Sequence, residues 1–156
     1  MGRVRVIGCG NLDAGDDAVG LLAVREARAS LPPHVEVVEA GFALRILDLL
    51  DGVDAVVVVD AVRAPNGGRE PGVLIRAEGG SGGLPAELRS SLSSHGLGLS
   101  EAVGLAGALG PLPRVVFVGV EVADLVAGHG LSPAVGAAFP ALVDAVLGEV
   151  EELVGA

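Results

Sequence analysis

Four consecutive valines, residues 56–59, are the strongest constraint on how this chain can fold. A strand with one solvated face alternates apolar and polar residues, whereas this run has no polar position. Both of its faces must therefore be covered, as in the parallel sheets of α/β proteins. Segment 54–60 thus predicts a central strand that ends on the carboxylate of Asp60.

The hydrophobic period and the turn residues of the other segments predict the same architecture. Strands are predicted at residues 3–7, 35–38, 54–60, 73–76 and 115–120, and helices at residues 16–29, 43–50, 87–92, 100–109 and 132–154. No helix separates the third and fourth strands, so the fourth strand is predicted to be antiparallel and at an edge. We expect an α/β three-layer sandwich around a five-stranded, mostly parallel twisted sheet, in a single domain over residues 1–156.

Charge and cysteine content argue against several classes of protein. The formal net charge is −10, and there is no basic stripe that could bind a nucleic acid. The lone cysteine, Cys9, cannot form an internal disulfide, and the N-terminus lacks the pattern of a secretory signal. The apolar runs are interrupted by charges or glycines before they reach the length of a bilayer span. We expect a cytoplasmic monomer that binds no membrane.

Three polar residues each follow an element that should end at the same edge of the sheet. They are Asp17 at the start of the first helix, Asp60 after the valine run, and His95 in a loop. Two carboxylates and an imidazole suit Zn²⁺, Ni²⁺, Mn²⁺ or Cd²⁺ and leave positions for water or substrate. Each residue also has a simpler interpretation. Asp17, like Asp16 before it, could cap the first helix, Asp60 could be a strand-end acid, and His95 could be a loop histidine.

The turn after the first strand, Gly8-Cys9-Gly10-Asn11, supplies further candidate residues. Gly8 and Gly10 are predicted to allow a tight turn and a close backbone approach. The amide of Asn11 could orient a carboxylate or stabilise an oxyanion, or Asn11 could simply be a turn residue. Cys9 is predicted to be a small buried apolar residue.

The protease motifs His-Glu-x-x-His and Gly-x-Ser-x-Gly do not occur in the sequence. Cys9 has no obvious histidine partner that would make it a nucleophile. For a hydrolase, these features favour attack by water, assisted by a carboxylate or by a metal acting as a Lewis acid.

The order of the motifs resembles that of the hydrogenase maturation proteases, the endopeptidases that trim the C-terminal tail of the large subunit of [NiFe]-hydrogenases. The motifs are Gly8-Cys9-Gly10-Asn11, Asp16-Asp17-Ala18-Val19-Gly20, Asp60-Ala61, Ser94-His95-Gly96, Val118-Gly119-Val120 and Gly130-Leu131-Ser132. The resemblance covers nearly the whole chain. It implies that Asp17, Asp60 and His95 bind metal and act in catalysis. It further implies that the metal is nickel already carried by the precursor of the large subunit, with zinc or cadmium able to substitute in vitro.

One segment departs from the family pattern, and two alternatives remain open. Relatives commonly have a Gly-Gly-Thr-like turn where this chain has Ala40-Gly41-Phe42, so the path of the substrate past Gly41 could differ. A Rossmann-type nucleotide-binding protein would use the Gly-x-Gly turn and Glu39, although Asp16 and Asp17 would repel the pyrophosphate. The other alternative is a non-catalytic chaperone for the hydrogenase precursor.

Overall fold

The computed structural model describes residues 2–13, 15–41, 44–63, 69–79, 89–90, 99–123 and 130–155. The strands are β1 Val4–Cys9, β2 Glu36–Ala40, β3 Ala55–Arg63, β4 Leu74–Gly79, β5 Arg89–Ser90 and β6 Arg114–Glu121. The helices are α1 Val19–Arg28, α2 Leu44–Leu49, α3 Leu99–Leu109 and α4 Pro133–Gly155, and a 3-10 turn, Gly15–Ala18, precedes α1.

The sheet has the strand order β2-β1-β3-β6-β4. The pairs β1–β2, β1–β3 and β3–β6 are parallel, and β4 pairs antiparallel with β6 at the edge. The predicted fold class and the antiparallel edge strand are therefore confirmed. The short strand β5 pairs antiparallel with the last two residues of β3.

Two local predictions near the end of β3 are wrong. The central strand does not stop at Asp60 but continues to Arg63, because β6 runs beside it as far as Glu121. The helix predicted over residues 87–92 is contradicted at Arg89–Ser90, which form β5, and its remaining residues lie outside the described ranges. Pairing with the extended end of β3 overrides the local preference of that segment.

The two faces of the sheet carry separate apolar cores. Val57 and Val59 of β3 belong to the core formed with α1 and α4, whereas Val56 and Val58 belong to the core beneath α2 and α3. All four side chains are fully buried, and each contributes roughly 1.5–3 kcal/mol to folding. Both faces of the valine run are thus covered, as predicted from the absence of alternating apolar and polar residues.

Helix α4 is long and apolar enough, by length and composition, to cross a membrane, which the sequence analysis did not anticipate. In the described structure its buried stripe packs in the first core and contacts the sheet and α1. The stripe consists of Val135, Leu142, Val143, Val146, Val150 and Leu153. We therefore interpret α4 as a core helix.

Candidate active site

The register of the sheet places a carboxylate among small residues at the carboxyl ends of the parallel strands. Gly8 of β1 pairs with Val59 of β3, so Cys9 and Asp60, the next residue of each strand, lie side by side. On the other side of β3, Asp60 pairs with Gly119 of β6. Because side chains alternate along a strand, Cys9 and Asp60 point to the face covered by α2 and α3.

Asp60 is a fully buried acid, with 0% of its surface exposed. Its Oδ1 accepts a hydrogen bond of 2.7 Å from the backbone N–H of Ala61, and its Oδ2 is also shielded from solvent. Burying a carboxylate is costly unless its environment compensates the charge. A carboxylate placed in such surroundings is a candidate for a functional group.

Asp17 lies in the 3-10 turn that precedes α1, and it is partly exposed. The backbone N–H of Asn11 donates to the carbonyl oxygen of Asp17 over 3.3 Å. Gly10 has a φ of 137°, and a Cβ atom built on it would overlap the same carbonyl oxygen. The turn after β1 therefore closes directly against the backbone of Asp17, and it requires glycine at position 10.

The first turn of α1 lies directly over the ends of β1 and β3. A Cβ atom on Gly20 would overlap the carbonyl oxygen of Val59, and it would lie 2.5 Å from the carbonyl oxygen of Cys9 and 2.9 Å from the Cα of Asp60. A Cβ atom on Gly8 would lie 2.9 Å from the carbonyl oxygen of Gly20. These glycines let the helix approach the strands closely, which brings the turn that carries Asp17 towards Asp60.

The electrostatics of Cys9 link the two aspartates. Burial raises the pKa of the Cys9 thiol well above its ordinary value of 9.0, and the negative charges of Asp60 and then Asp17 raise it further. Both carboxylates thus act on one sulfur atom at the end of β1. Among the described residues, Cys9 lies beside Asp60, and the turn that carries Asp17 packs against the ends of the same strands.

We expect the Cys9 thiol to be inert in the native protein. Iodoacetamide at pH 8 should leave folded Cys9 unmodified and should label it fully in guanidinium chloride, because the thiolate is the reactive form. Because the pKa of the Cys9 thiol is higher in the folded protein than in the unfolded chain, the thiol of the unfolded chain loses its proton first as the pH increases. The contribution of Cys9 to stability is therefore retained below pH 9.0 and lost above it. Mass spectrometry measures the labelling, and rapid labelling of the folded protein would contradict the burial of Cys9.

Asn11 and Gly41 lie just beyond the carboxyl ends of β1 and β2, respectively. Asn11 is exposed, and its Oδ1 accepts a hydrogen bond of 3.0 Å from the backbone N–H of Asp13, which is the geometry of an Asx turn. Gly41 follows β2 and is exposed, and a Cβ atom built there would meet no atom within 4 Å. The described contacts of Asn11 are those of a turn residue.

Glu39, the acid that a nucleotide-binding protein would use, is occupied by an ion pair. Arg25 of α1 donates to Glu39 through Nε over 2.9 Å and through Nη2 over 2.7 Å. The guanidinium lowers the pKa of Glu39, so the carboxylate is ionised and paired near neutral pH. This pairing weakens the Rossmann-type alternative.

Asp16 is the residue whose role the sequence analysis missed. It was expected to cap the first helix, but it is fully buried and its carboxylate binds residues far along the chain. The N-cap position of α1 is occupied by Ala18, which makes no side-chain capping bond. An acid before an apolar helix carries the same sequence signal in both roles, so only the structure distinguishes them.

The third predicted ligand, His95, lies outside the described residues. Within the ranges that are described, no cluster of three or more His, Cys, Asp or Glu side chains could hold a metal ion. Asp17 and Asp60 are the two predicted ligands within the described ranges, and metal binding by Asp17, Asp60 and His95 stays a prediction.

Comparisons with known proteins agree on one family. A family model described as hydrogenase maturation protease, HycI, matches residues 21–149. Hydrogenase 2 maturation protease of Escherichia coli K12 is 29% identical over 154 residues, which cover 96% of this chain and 92% of that protein. The putative hydrogenase maturation protease of Methanocaldococcus jannaschii is 28% identical over 156 residues, covering 96% and 97% of the two chains.

A solved structure extends the agreement to three dimensions. The hydrogenase maturating endopeptidase HybD from E. coli superposes with a TM-score of 0.81 at 27% identity, covering 96% of this chain and 93% of that one. The fold and these similarities define an endopeptidase of hydrogenase maturation. The chain belongs to the hydrogenase maturation protease family, as the motif order predicts. The matched range includes Asp60 and His95 and begins after Asp17.

Proposed function

We propose that this protein removes the C-terminal extension of a [NiFe]-hydrogenase large-subunit precursor after nickel has been inserted. The observation that carries the proposal is the close packing of the turn that holds Asp17 against the strand ends, where a Cβ atom on Gly20 would lie 2.9 Å from the Cα of Asp60. In a chain of this protease family, that position is where an α/β sheet presents its ligand-binding groups.

The donor chemistry of the site suits nickel carried by the substrate. Asp17 and Asp60 supply hard oxygen ligands, and His95 would add a borderline nitrogen ligand. Two carboxylates near one another in a region of low dielectric repel, and a divalent cation in the docked precursor would offset that repulsion. Such a site would favour the nickel-loaded precursor over the empty one. Zinc or cadmium, with similar preferences, would serve as probes in vitro.

The contribution of the nickel would be positive charge, which polarises a nearby oxygen. Water is the nucleophile that the residues favour, because the raised pKa of Cys9 keeps its thiol protonated. The carboxylate of Asp17 would accept a proton from the attacking water. The water oxygen bonds to the scissile carbonyl carbon, the C–N bond breaks, and the proton passes to the leaving amine.

We further propose that the protein acts in the cytoplasm as a monomer, with the large-subunit precursor as its partner. Its net charge of −10 disfavours nucleic acids, and the apolar stripe of α4 is used within the core of the fold.

The decisive experiment incubates the protein with nickel-loaded and nickel-free large-subunit precursor and measures the mass of each product. We expect a discrete loss of mass from the C-terminus of the nickel-loaded precursor only. Intact precursor that nevertheless binds the protein would favour the chaperone alternative instead. Equal cleavage of both precursors would contradict nickel dependence.

A further inference from the structure

We propose that Asp16 is a positioning residue that fixes the separation between the carboxylates of Asp17 and Asp60. This inference rests on the proposed function, because that separation determines which cation the pair can bind. Asp16 precedes Asp17 in the same 3-10 turn, and its own surface is fully buried. A role for Asp16 in binding the metal directly is not needed.

The carboxylate of Asp16 joins two segments that are far from it in sequence. Its Oδ1 accepts a hydrogen bond of 2.6 Å from the backbone N–H of Ser132. Its Oδ2 accepts one of 2.8 Å from the Ser132 hydroxyl and one of 2.9 Å from the backbone N–H of Ala123. Hydrogen bonds to an ionised carboxylate are short and strong, so the turn that carries Asp17 is held at three points.

The bond to Ala123 connects this turn to the strand that carries Asp60. Ala123 follows Val122, whose backbone N–H donates to the carbonyl oxygen of Val62 over 3.0 Å. Val62 lies two residues beyond Asp60 on β3. Two hydrogen bonds, joined by the peptide bond between Val122 and Ala123, therefore connect the turn of Asp17 to the end of β3 just beyond β6.

The bonds to Ser132 hold the same turn from the opposite side. Ser132 directly precedes α4, and its carbonyl oxygen accepts a hydrogen bond of 2.8 Å from the N–H of Gly136. Helix α4 packs against α1, the helix that continues from the turn. The turn is thus fixed both to the sheet and to the helical layer, as precise ligand geometry requires.

The test compares Asp16→Asn with the wild-type protein in three measurements. Asparagine has nearly the same shape as aspartate. Its amide NH₂ group, however, is itself a donor and would face N–H or O–H groups that donate hydrogen bonds to the carboxylate of Asp16. We expect affinity for Cd²⁺ alone, measured by calorimetry, to fall by roughly 10- to 100-fold. We expect kcat for processing to fall more than KM changes, because the precursor still docks. The amide resonance of Ala61, which binds Asp60, should shift although it lies far from position 16 in sequence.

Two further variants make the result specific. Ser132→Ala removes only the hydroxyl donor and should produce the same changes to a smaller extent, which keeps the proposal testable if Asp16→Asn does not fold. Asp13→Asn removes the same charge from a nearby exposed position and should leave all three measurements unchanged.

The proposal is overturned if folded Asp16→Asn binds Cd²⁺ and processes precursor like the wild type. It is also overturned if the Ala61 resonance does not move beyond the effect of Asp13→Asn. If the proposed function itself is wrong, the wild-type protein will neither bind Cd²⁺ nor process precursor, and this result distinguishes the two cases. In that case the Ala61 resonance still decides whether Asp16 positions Asp60.

Discussion

Replacing Asp60 by asparagine should lower kcat/KM for precursor processing by about 10²- to 10⁴-fold, the range for loss of a central acid–base or metal-binding group. The asparagine carbonyl can still accept the hydrogen bond from the backbone N–H of Ala61, and asparagine has nearly the same size as the buried aspartate. The fold should therefore survive, with a melting temperature close to that of the wild type. Product mass over time measures the rate, and thermal unfolding checks the fold.

The matched control is Asp54→Asn, at the residue directly before the opposite end of β3. Asp54 is exposed and accepts one hydrogen bond of 2.7 Å from the backbone of Arg3. The Asp54→Asn variant should process precursor at the wild-type rate. Asp17→Asn and His95→Ala should behave like Asp60→Asn. Processing by any of these three at the wild-type rate would remove that residue from the site.

Gly20→Ala should destabilise the protein by about 3 kcal/mol or more, because the new methyl group would overlap backbone rather than a movable side chain. The carbonyl oxygens of Val59 and Cys9 and the Cα of Asp60 all lie within the space it needs. Relief would require α1 to move away from the strands, and the turn carrying Asp17 would move with it. In a chain of this size, such a loss lowers the melting temperature by roughly 6–12 °C.

The matched control for this prediction is Gly148→Ala in the middle of α4. A Cβ atom there meets nothing within 4 Å, and the residue is exposed. The same substitution should raise stability by roughly 0.5–1 kcal/mol through helix propensity alone. Urea unfolding of both variants gives the comparison directly. If Gly20→Ala is as stable as Gly148→Ala, the close approach of α1 to β3 is incorrect.

The stability lost in Gly20→Ala and the activity lost in Asp60→Asn concern the same region of the molecule. The helix that must approach β3 closely is also the helix preceded by Asp17. We therefore expect any Gly20 variant that still folds to show weakened processing as well, since close packing and site geometry depend on one another here.

Elements whose stability comes from a local pattern could be predicted from the order of the amino acids. The uninterrupted valines specified a strand buried on both faces. No helix was predicted between β3 and β4, and a parallel neighbour would need a long crossover connection. The antiparallel direction of β4 at the edge of the sheet could therefore be predicted. The order of the motifs was sufficient to indicate the family.

The hydrogen-bond partners of the polar groups, in contrast, could be identified only in the folded protein. Asp16 is bonded to residues 107 and 116 positions away, and its expected role as a helix cap was wrong. Likewise, β5 forms only because the end of β3 offers it a partner. Hydrophobic periodicity records which side of an element is buried, whereas a carboxylate can be satisfied by any donor that folding brings within about 3 Å, at any distance along the chain.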